Sequence, residues 1–492
     1  MQNIPKTNLG LVAVSRDCFP IDLSRKRRMA VMEACKKQNV CVTEIETIIE
    51  NERDVLLALD EIKQKGINAL AIYLGNFGPE GPTSMLAQRF NGPVMLVAAA
   101  EDTGKDLING RGDAYCGLLN LSYNMGLRRL NPFIPEYPVT DPEDTATLLS
   151  EFTTVARIVN GVRNLKIISF GPRPADFITC HAPIQPLYDL GVEIMENSEL
   201  DLYDIVMNEK DNPEVKKIAD EMALELGKGN TYPDLITKLA QYELALSKFM
   251  DANLGASKYA VFANKCWPAF EKYFGHVPCY LNSRLATRGI PVACESDIYG
   301  ALSEYMAVCA TEMPPTILDI NNSVPKDMYA DSKAEIGDYT LQDLFMGFHC
   351  GNTSTSCLVQ PIMQHQLIMH RLMEPGQEPN ITRGTIEGQI KSGPVSVFRL
   401  QSTAEATLRA YVANGEVLNI NPKSFGCIGV FAIKEMGRFY RHVLVEKRFP
   451  HHTAIAFKHS AKALYSACKM LGVSETYFNL PKSVYYPTEN PF

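Results

Sequence analysis

The 492-residue sequence holds a single tryptophan, no CxxC pair among its thirteen cysteines, and no apolar run near the roughly 20 residues that a membrane-crossing helix requires. An odd number of irregularly spaced cysteines excludes a disulfide framework and points to reduced thiols in a cytoplasmic protein. The N-terminus lacks a charged stretch followed by a long apolar one, so no export signal is expected. Basic residues are in deficit, with 48 Lys and Arg against 56 Asp and Glu, a net charge of -8. That balance argues against nucleic acid or an anionic membrane as partner, since either needs a basic face. The one dense basic run, Arg25 to Arg28, falls in a helical stretch and reads as a solvated face. There is also no GxGxxG turn, no phosphate-binding P-loop, no GxSxG elbow and no HExxH, so no nucleotide cofactor is expected. The glycine-bearing loop from Gly75 to Gly81 fits none of these and reads as a turn.

What is present is the material of a globular protein, 46% hydrophobic and 21% charged, without low-complexity tracts. The length suits about three domains. From "LGLVAVS" to "GPVMLVAA", short apolar runs alternate with amphipathic stretches such as "ERDVLLALDEIKQKG", the pattern of parallel α/β construction. The Pro-rich "NPFIPEYPVTDPED" marks a crossover, and a second alternating series starts at "LKIISFGPRP". Past residue 323, short alternating strands with Gly and Pro turns suggest an antiparallel barrel or sandwich. The expected fold is therefore α/β. Two open parallel-sheet domains, residues 1–162 and 163–322, precede a C-terminal domain, residues 323–492, containing an antiparallel β-barrel and a closing helix.

The candidate chemistry begins in "VACESDIYGALSEYMAVCATEMPPTILDINN", which reads as strand, helix and parallel strand with Glu295 and Asp319 at matching strand ends. In an open α/β sheet that edge binds ligands. Two carboxylates converging there repel unless a cation lies between them, and oxygen ligands suit Mn²⁺ or Mg²⁺. The competing reading is that both acids cap following helices, helped by Ser296, Asp297, Asn321 and Asn322. Imidazole is the commonest partner for such an ion. "FPHHTAIAFKH" sets His451 and His452 at the mouth of an alternating strand, where adjacent side chains point to opposite faces and at most one is expected at the site. His349 lies beside a Gly-Asn turn, a loop position suited to a ligand or substrate contact. His365 and His370 lie five apart on a helical pattern and share no face.

These segments, in this order, resemble the L-fucose isomerase and L-arabinose isomerase group. "VACESD" and "LDINN" are similar to the group's metal-binding Glu and Asp segments, and "HHTAIAFKHSAKAL" to the segment with the metal-binding histidine, where alignment on "KHSA" selects His452. "VSRDCFPIDLSRKRR" resembles the segment whose arginine reaches the sugar, here Arg16, while "ISFGPRPADF" and "GVEIMENSELDLYDI" resemble the opening of the group's second domain and "GTIEGQIKSGPVSVFRL" its C-terminal barrel. "KCWP" and "FHCGN" depart from the group's sugar-contacting segments, which bears on the substrate more than on the reaction.

The resemblance implies an aldose–ketose isomerase that interconverts a deoxyhexose or pentose, of the L-fucose, L-arabinose or D-arabinose type, with its ketose. Mn²⁺, or Mg²⁺ or Co²⁺, would be held by Glu295, Asp319 and His452. Glu295 and Asp319 would exchange protons through a cis-enediol. His349 and Arg16 would bind substrate, with Lys265 and Trp267 as further pocket candidates, although the lone tryptophan could equally anchor a core. The resemblance also implies a homo-oligomer, typically a hexamer, in which a neighbour's first domain closes the pocket around Tyr73, Asn76 and Phe77. The rivals are a metal-dependent epimerase or aldolase using the same enediolate, and a sugar-binding relative without catalysis.

Overall fold

The computed structural model describes residues 3–105, 107–108, 110–369, 378 and 380–490. It divides into two compact units, one of Pro5–Asn160 with Tyr465–Gly472, the other of Met1–Ile4, Gly161–Leu464 and Val473–Phe492.

The first unit is built on a parallel sheet of β1 (Leu9–Val14), β2 (Thr43–Ile49), β3 (Ala69–Leu74), β4 (Val94–Ala99) and β5 (Val139–Thr140), in the order β2-β1-β3-β4-β5. β1, β3 and β4 are buried along their whole length because helices cover both faces, so they read as unbroken apolar runs. The helix Glu52–Gln64 starts where the Asn51 side chain accepts from the backbone N–H groups of Arg53 and Asp54 while Asp54 returns a bond to the Asn51 N–H. The basic run departs from its expected solvated face. Arg27 and Arg28 are buried on the helix Ile21–Lys37. Arg27 donates to the Gly75 carbonyl at 2.9 Å and pairs with Glu101 at 2.7 Å; Arg28 donates to the Ile45 carbonyl and pairs with Glu44, both at 2.8 Å. Carbonyls and acids of the sheet and its loops take up the terminal nitrogens of both guanidiniums, although each Nε is buried without a hydrogen-bond partner, and charge counting along a helix does not reveal this.

In the second unit a parallel sheet of β6 (Leu165–Phe170), β7 (Glu193–Asn197), β8 (Tyr259–Ala263) and β9 (Val292–Ala293) runs in the order β7-β6-β8-β9. The remaining strands are β10 (Thr316–Asn322), β11 (Leu344–His349), β12 (Ile362–His365), β13 (Arg383–Gln389), β14 (Gly393–Ser402), β15 (Leu408–Leu418), β16 (Cys427–Ala432), β17 (His452–Ala456) and β18 (Glu475–Tyr477). They form one large mixed sheet, β12-β13-β16-β11-β10-β17-β14-β15-β18, and β15 also pairs with β16. The C-terminal region is thus largely antiparallel, as the turn-rich sequence suggests, with parallel pairs among the described residues only at β13–β16 and β15–β18. His365 ends a strand rather than lying on a helix, and His370 lies outside the described residues.

One expectation is overturned. β10, which carries Asp319, does not join the sheet of β9; it lies antiparallel between β11 and β17 in the large sheet. A buried apolar run announces a strand, but which sheet accepts it depends on partners distant in sequence. Between β9 and β10 the helix Ile298–Thr311 is buried almost throughout, packing on β8 and β9 and on β14 and β17. Its small residues, Gly300, Ala301, Ser303, Ala307 and Ala310, let strands approach from both sides. This helix is what brings the ends of β9 and β10 to one place.

Candidate active site

β9 ends in the tight turn Cys294–Ser296, in which both Glu295 (φ 62°) and Ser296 (φ 54°) are left-handed. For residues with a β-carbon that conformation costs roughly 1–2 kcal/mol each. Such strain persists where the surroundings over-determine it, commonly at functional sites. Here the turn brings Glu295 Oε2 to 3.1 Å from Nε2 of His452. Asp319 is the cross-strand partner of His452 in the β10–β17 ladder, and its Oδ1 lies 3.5 Å from the same nitrogen. His452 Nε2 and Asp319 Oδ1 are both buried without a hydrogen-bond partner. A buried imidazole nitrogen facing two carboxylates with no bond of its own is a set of donors suited to a divalent cation. His452 belongs to three groups whose ligand atoms lie within 4.8 Å of one another, Cys180 with Asp297, Glu295 with His349, and Asp319 with His451.

The other ring nitrogen shows why Nε2 is available. Nδ1 of His452 lies 2.8 Å from Asp297 Oδ2, so it carries the proton and leaves the Nε2 lone pair directed at the acids. Asp297 also accepts the Gly300 N–H at 2.8 Å as N-cap of the buried helix. The fully buried guanidinium of Arg399 clamps it at 2.6 and 2.9 Å. Burial alone would raise the Asp297 pKa, but Arg399 and His452 hold it well below the ordinary carboxylate range. Burial would lower the pKa of His452, yet the contacts of its Nδ1 with Asp297 and Cys180 and the nearby Glu295 carboxylate raise it well above the ordinary value. Acids that favour a proton on this ring favour a metal cation in its place. Glu304, on the same helix, is buried and pushed up to about 8 by desolvation, so Arg399 has one charged acid to answer.

Several expected residues stand beside this cluster. His349 ends β11, buried, its ring 5.8 Å from that of His452; its Nδ1 accepts the Cys350 N–H at 3.0 Å, which in a neutral ring leaves Nε2–H as a donor. His451 departs from the alternation argument. It precedes β17, so the strand's facing rule does not govern it, and its Nε2 sits 3.5 Å from Asp319 Oδ1. Trp267 is half-buried and edge-on to Phe177, whose ring lies 5.8 Å from that of His451. Lys265 is buried and paired with Glu199 at 3.1 Å. In the first unit, the Arg16 guanidinium stacks 4.6 Å over Phe77, and Asn76 accepts the Arg16 N–H at 3.1 Å. Tyr73 is a core residue of β3.

Sequence reading missed Arg399, Cys180 and the second task of Asp297. Cys180 Sγ lies 3.8 Å from Glu295 Oε2 and 3.9 Å from His452 Nδ1. Asp297 was visible only as a helix cap, and Arg399 carried a usable signal, a lone arginine inside the apolar strand "PVSVFRLQ". The packing at Gly300 yields a prediction. A β-carbon there would meet Asp297 Oδ2 at 2.7 Å and Ile317 Cδ1 at 2.6 Å. Gly300→Ala is therefore expected to displace the Asp297 carboxylate and to destabilise the protein by about 1–3 kcal/mol, read as a lower urea midpoint at unchanged slope.

Residues 10–163 match the family described as Fucose/sulfoquinovose isomerase, N-terminal domain, and residues 347–479 match L-fucose isomerase, C-terminal domain. Together the matches cover more than half of the chain. Among curated proteins, the sulfoquinovose isomerase of Alkalicoccus urumqiensis is 25% identical over 69% of this chain and 69% of its own. That of Priestia aryabhattai is 23% identical over 85% of this chain and 87% of its own, and that of Clostridium sp. (strain MSTE9) is 26% identical over 70% of each. The protein is thus a sugar isomerase of the aldose–ketose type. It belongs to the fucose isomerase family. Glu295 and Asp319 lie between the two matched regions, whereas His349, Arg399 and His452 lie within the second.

Proposed function

We propose that the chain is a metal-dependent aldose–ketose isomerase whose reaction centre is Glu295, Asp319 and His452. The observation that carries this reading is the bare Nε2 of His452, buried between Glu295 Oε2 and Asp319 Oδ1. Two carboxylates and one imidazole would hold the ion, and the imidazole favours Mn²⁺ over Mg²⁺. When bound, the ion supplies Lewis-acid polarisation of the open-chain sugar's carbonyl. Glu295 and Asp319 move the protons: one takes the proton from C2 while the other, protonated, gives a proton to O1, and the resulting cis-enediol becomes the ketose when one acid takes the O2 proton and the other returns a proton to C1. Nε2–H of His349 donates to a substrate hydroxyl, and Phe177 with Trp267 presents an apolar face to the sugar's C–H bonds.

Arg16 is a sugar contact in the same reading, with the buried Asn76 holding its backbone rather than touching substrate, and the working enzyme is taken to be a cytoplasmic homo-oligomer, a hexamer. The additional β15–β16 pairing supports reading β16, β11, β10, β17, β14 and β15 as a six-stranded barrel. The candidate substrates are deoxyhexoses and pentoses, and the relatives' printed name adds sulfoquinovose.

The test is chelator treatment, then restoration with Mn²⁺, Mg²⁺ or Co²⁺, with a panel of these aldoses in deuterated water. Ketose labelled at the exchanging carbon is expected only with metal restored. A C2 epimer or cleaved product would replace this reading by the epimerase or aldolase one, and the absence of deuterium from every sugar would sink all three.

A further inference from the structure

A buried cysteine ordinarily fills an apolar gap. Cys180, only 7% exposed, faces charge instead: its Sγ lies 3.8 Å from Glu295 Oε2 and 3.9 Å from His452 Nδ1. It closes the short turn Ile178–Cys180, where its N–H donates to the Phe177 carbonyl at 3.0 Å. Three residues on, the Pro183 carbonyl accepts the hydroxyl of Tyr299, on the buried helix, at 2.5 Å. Both ends of the segment are thus tied down, and the thiol is fixed beside the carboxylates and the imidazole.

We propose that Cys180 is a fourth ligand that engages only thiophilic divalent cations, Zn²⁺ or Cd²⁺, and with Glu295, Asp319 and His452 closes such an ion into an inactive site. This rests on the reading of those three residues as the metal centre, and it adds a rule for which ion works there. The distances fit. Zn²⁺ takes sulfur at about 2.3 Å, and oxygen and nitrogen at about 2.1 Å, in a tetrahedron; that sets a sulfur and an oxygen about 3.6 Å apart and an oxygen and a nitrogen about 3.4 Å apart. The thiol stands 3.8 Å from Glu295 Oε2, and Glu295 Oε2 and Asp319 Oδ1 stand 3.1 and 3.5 Å from His452 Nε2. That nitrogen is buried without a hydrogen-bond partner. Cys180 also groups with Asp297 and His452, but Arg399 clamps Asp297 and the His452 Nδ1 proton is directed at the same carboxylate, so the donors open to a cation lie on the Glu295 side.

Ligand softness decides the rest. Mn²⁺ and Mg²⁺ prefer oxygen and take six ligands, so the thiol keeps its proton and positions stay open for the sugar's oxygens. Thiolate selects Zn²⁺, and as the metal–sulfur bond forms the thiol proton leaves to solvent. Four protein ligands then complete the tetrahedron, as in structural rather than catalytic zinc sites, and no position remains for substrate.

The experiment uses the full chain, freed of metal by chelator and titrated with Mn²⁺, Zn²⁺ or Cd²⁺. By calorimetry, Cys180→Ser is expected to bind Zn²⁺ about 10- to 100-fold more weakly than wild type, at least the loss that follows removal of a supporting partner, while Mn²⁺ affinity stays within about threefold. One equivalent of Cd²⁺ is expected to raise the ultraviolet thiolate charge-transfer band in wild type and not in the variant. Wild type loaded with Zn²⁺ is expected to form no ketose from an aldose that its Mn²⁺ form converts. Equal Zn²⁺ affinity in the two proteins, a Cd²⁺ band of equal strength in both, or a Zn²⁺ form as active as the Mn²⁺ form would each overturn the proposal. Cys180→Ala carries the same expectations and replaces the serine variant if that one fails to fold by circular dichroism. Mn²⁺ that does not bind wild type at all would sink the metal-centre reading itself, and this proposal with it.

Discussion

Glu295→Gln is expected to lower kcat by between about 10²- and 10⁴-fold, the range a positioned proton-transfer group contributes, in a chain that remains folded. The amide keeps the shape of the side chain and an oxygen that can face His452, but it cannot accept and return a proton at pH 7. Asp319→Asn is expected to act in the same way from the opposite strand, because the cross-strand pairing fixes its Oδ1 against the same nitrogen. Mn²⁺ binding measured calorimetrically alongside turnover separates the two roles of each acid. Loss of turnover with metal retained identifies a proton carrier, and joint loss identifies a ligand. Either variant turning over within a few-fold of wild type would remove that residue from the mechanism.

The largest stability effect is expected one shell further out. Asp297→Asn leaves Arg399, which has no exposure at all, without its counter-charge. Breaking one side of a buried ion pair costs about 3–5 kcal/mol, because the remaining charge stays desolvated. The same change takes from His452 the acceptor that orients it and fixes its tautomer, a loss that typically lowers metal affinity by about 10- to 100-fold. The two consequences separate in Asp297→Asn/Arg399→Met. Removing the stranded cation is expected to recover most of the urea midpoint, whereas metal affinity stays low because Nδ1 of His452 still lacks a carboxylate. An unchanged midpoint in Asp297→Asn would show that the pair does not hold this region together. Recovery of metal affinity in the double variant would remove Asp297 from the orientation of His452.

Neither variant could have been chosen from spacing alone, and the reason is local. "CESD" shows a carboxylate three residues before Gly300 at a helix start, and the N-cap bond that this implies is present. One carboxylate has room for several donors, however, and the others come from 102 and 155 positions away. Likewise, the alternation rule placed only one of His451 and His452 at the site because it assumed both lay in the strand; β17 begins at His452, which frees His451 to approach Asp319. Charge counting put Arg27 and Arg28 in solvent, but carbonyls and acids of the sheet and its loops take up their terminal nitrogens.

By itself the sequence determined the alternating strands and helices of both parallel sheets, the change to antiparallel pairing near the C-terminus, and the residue types of a carboxylate and imidazole centre. These are read from periodicity and side-chain chemistry, which act over a few residues. Only the tertiary structure decided that Asp319 belongs to the large sheet opposite His452, that a strained turn carries Glu295 to the same nitrogen, and that Arg399 and Asp297 stand behind that ring. Strand partnership and the pairing of buried charges are settled by burial energy summed across the chain, and no short stretch contains both members of such a pair.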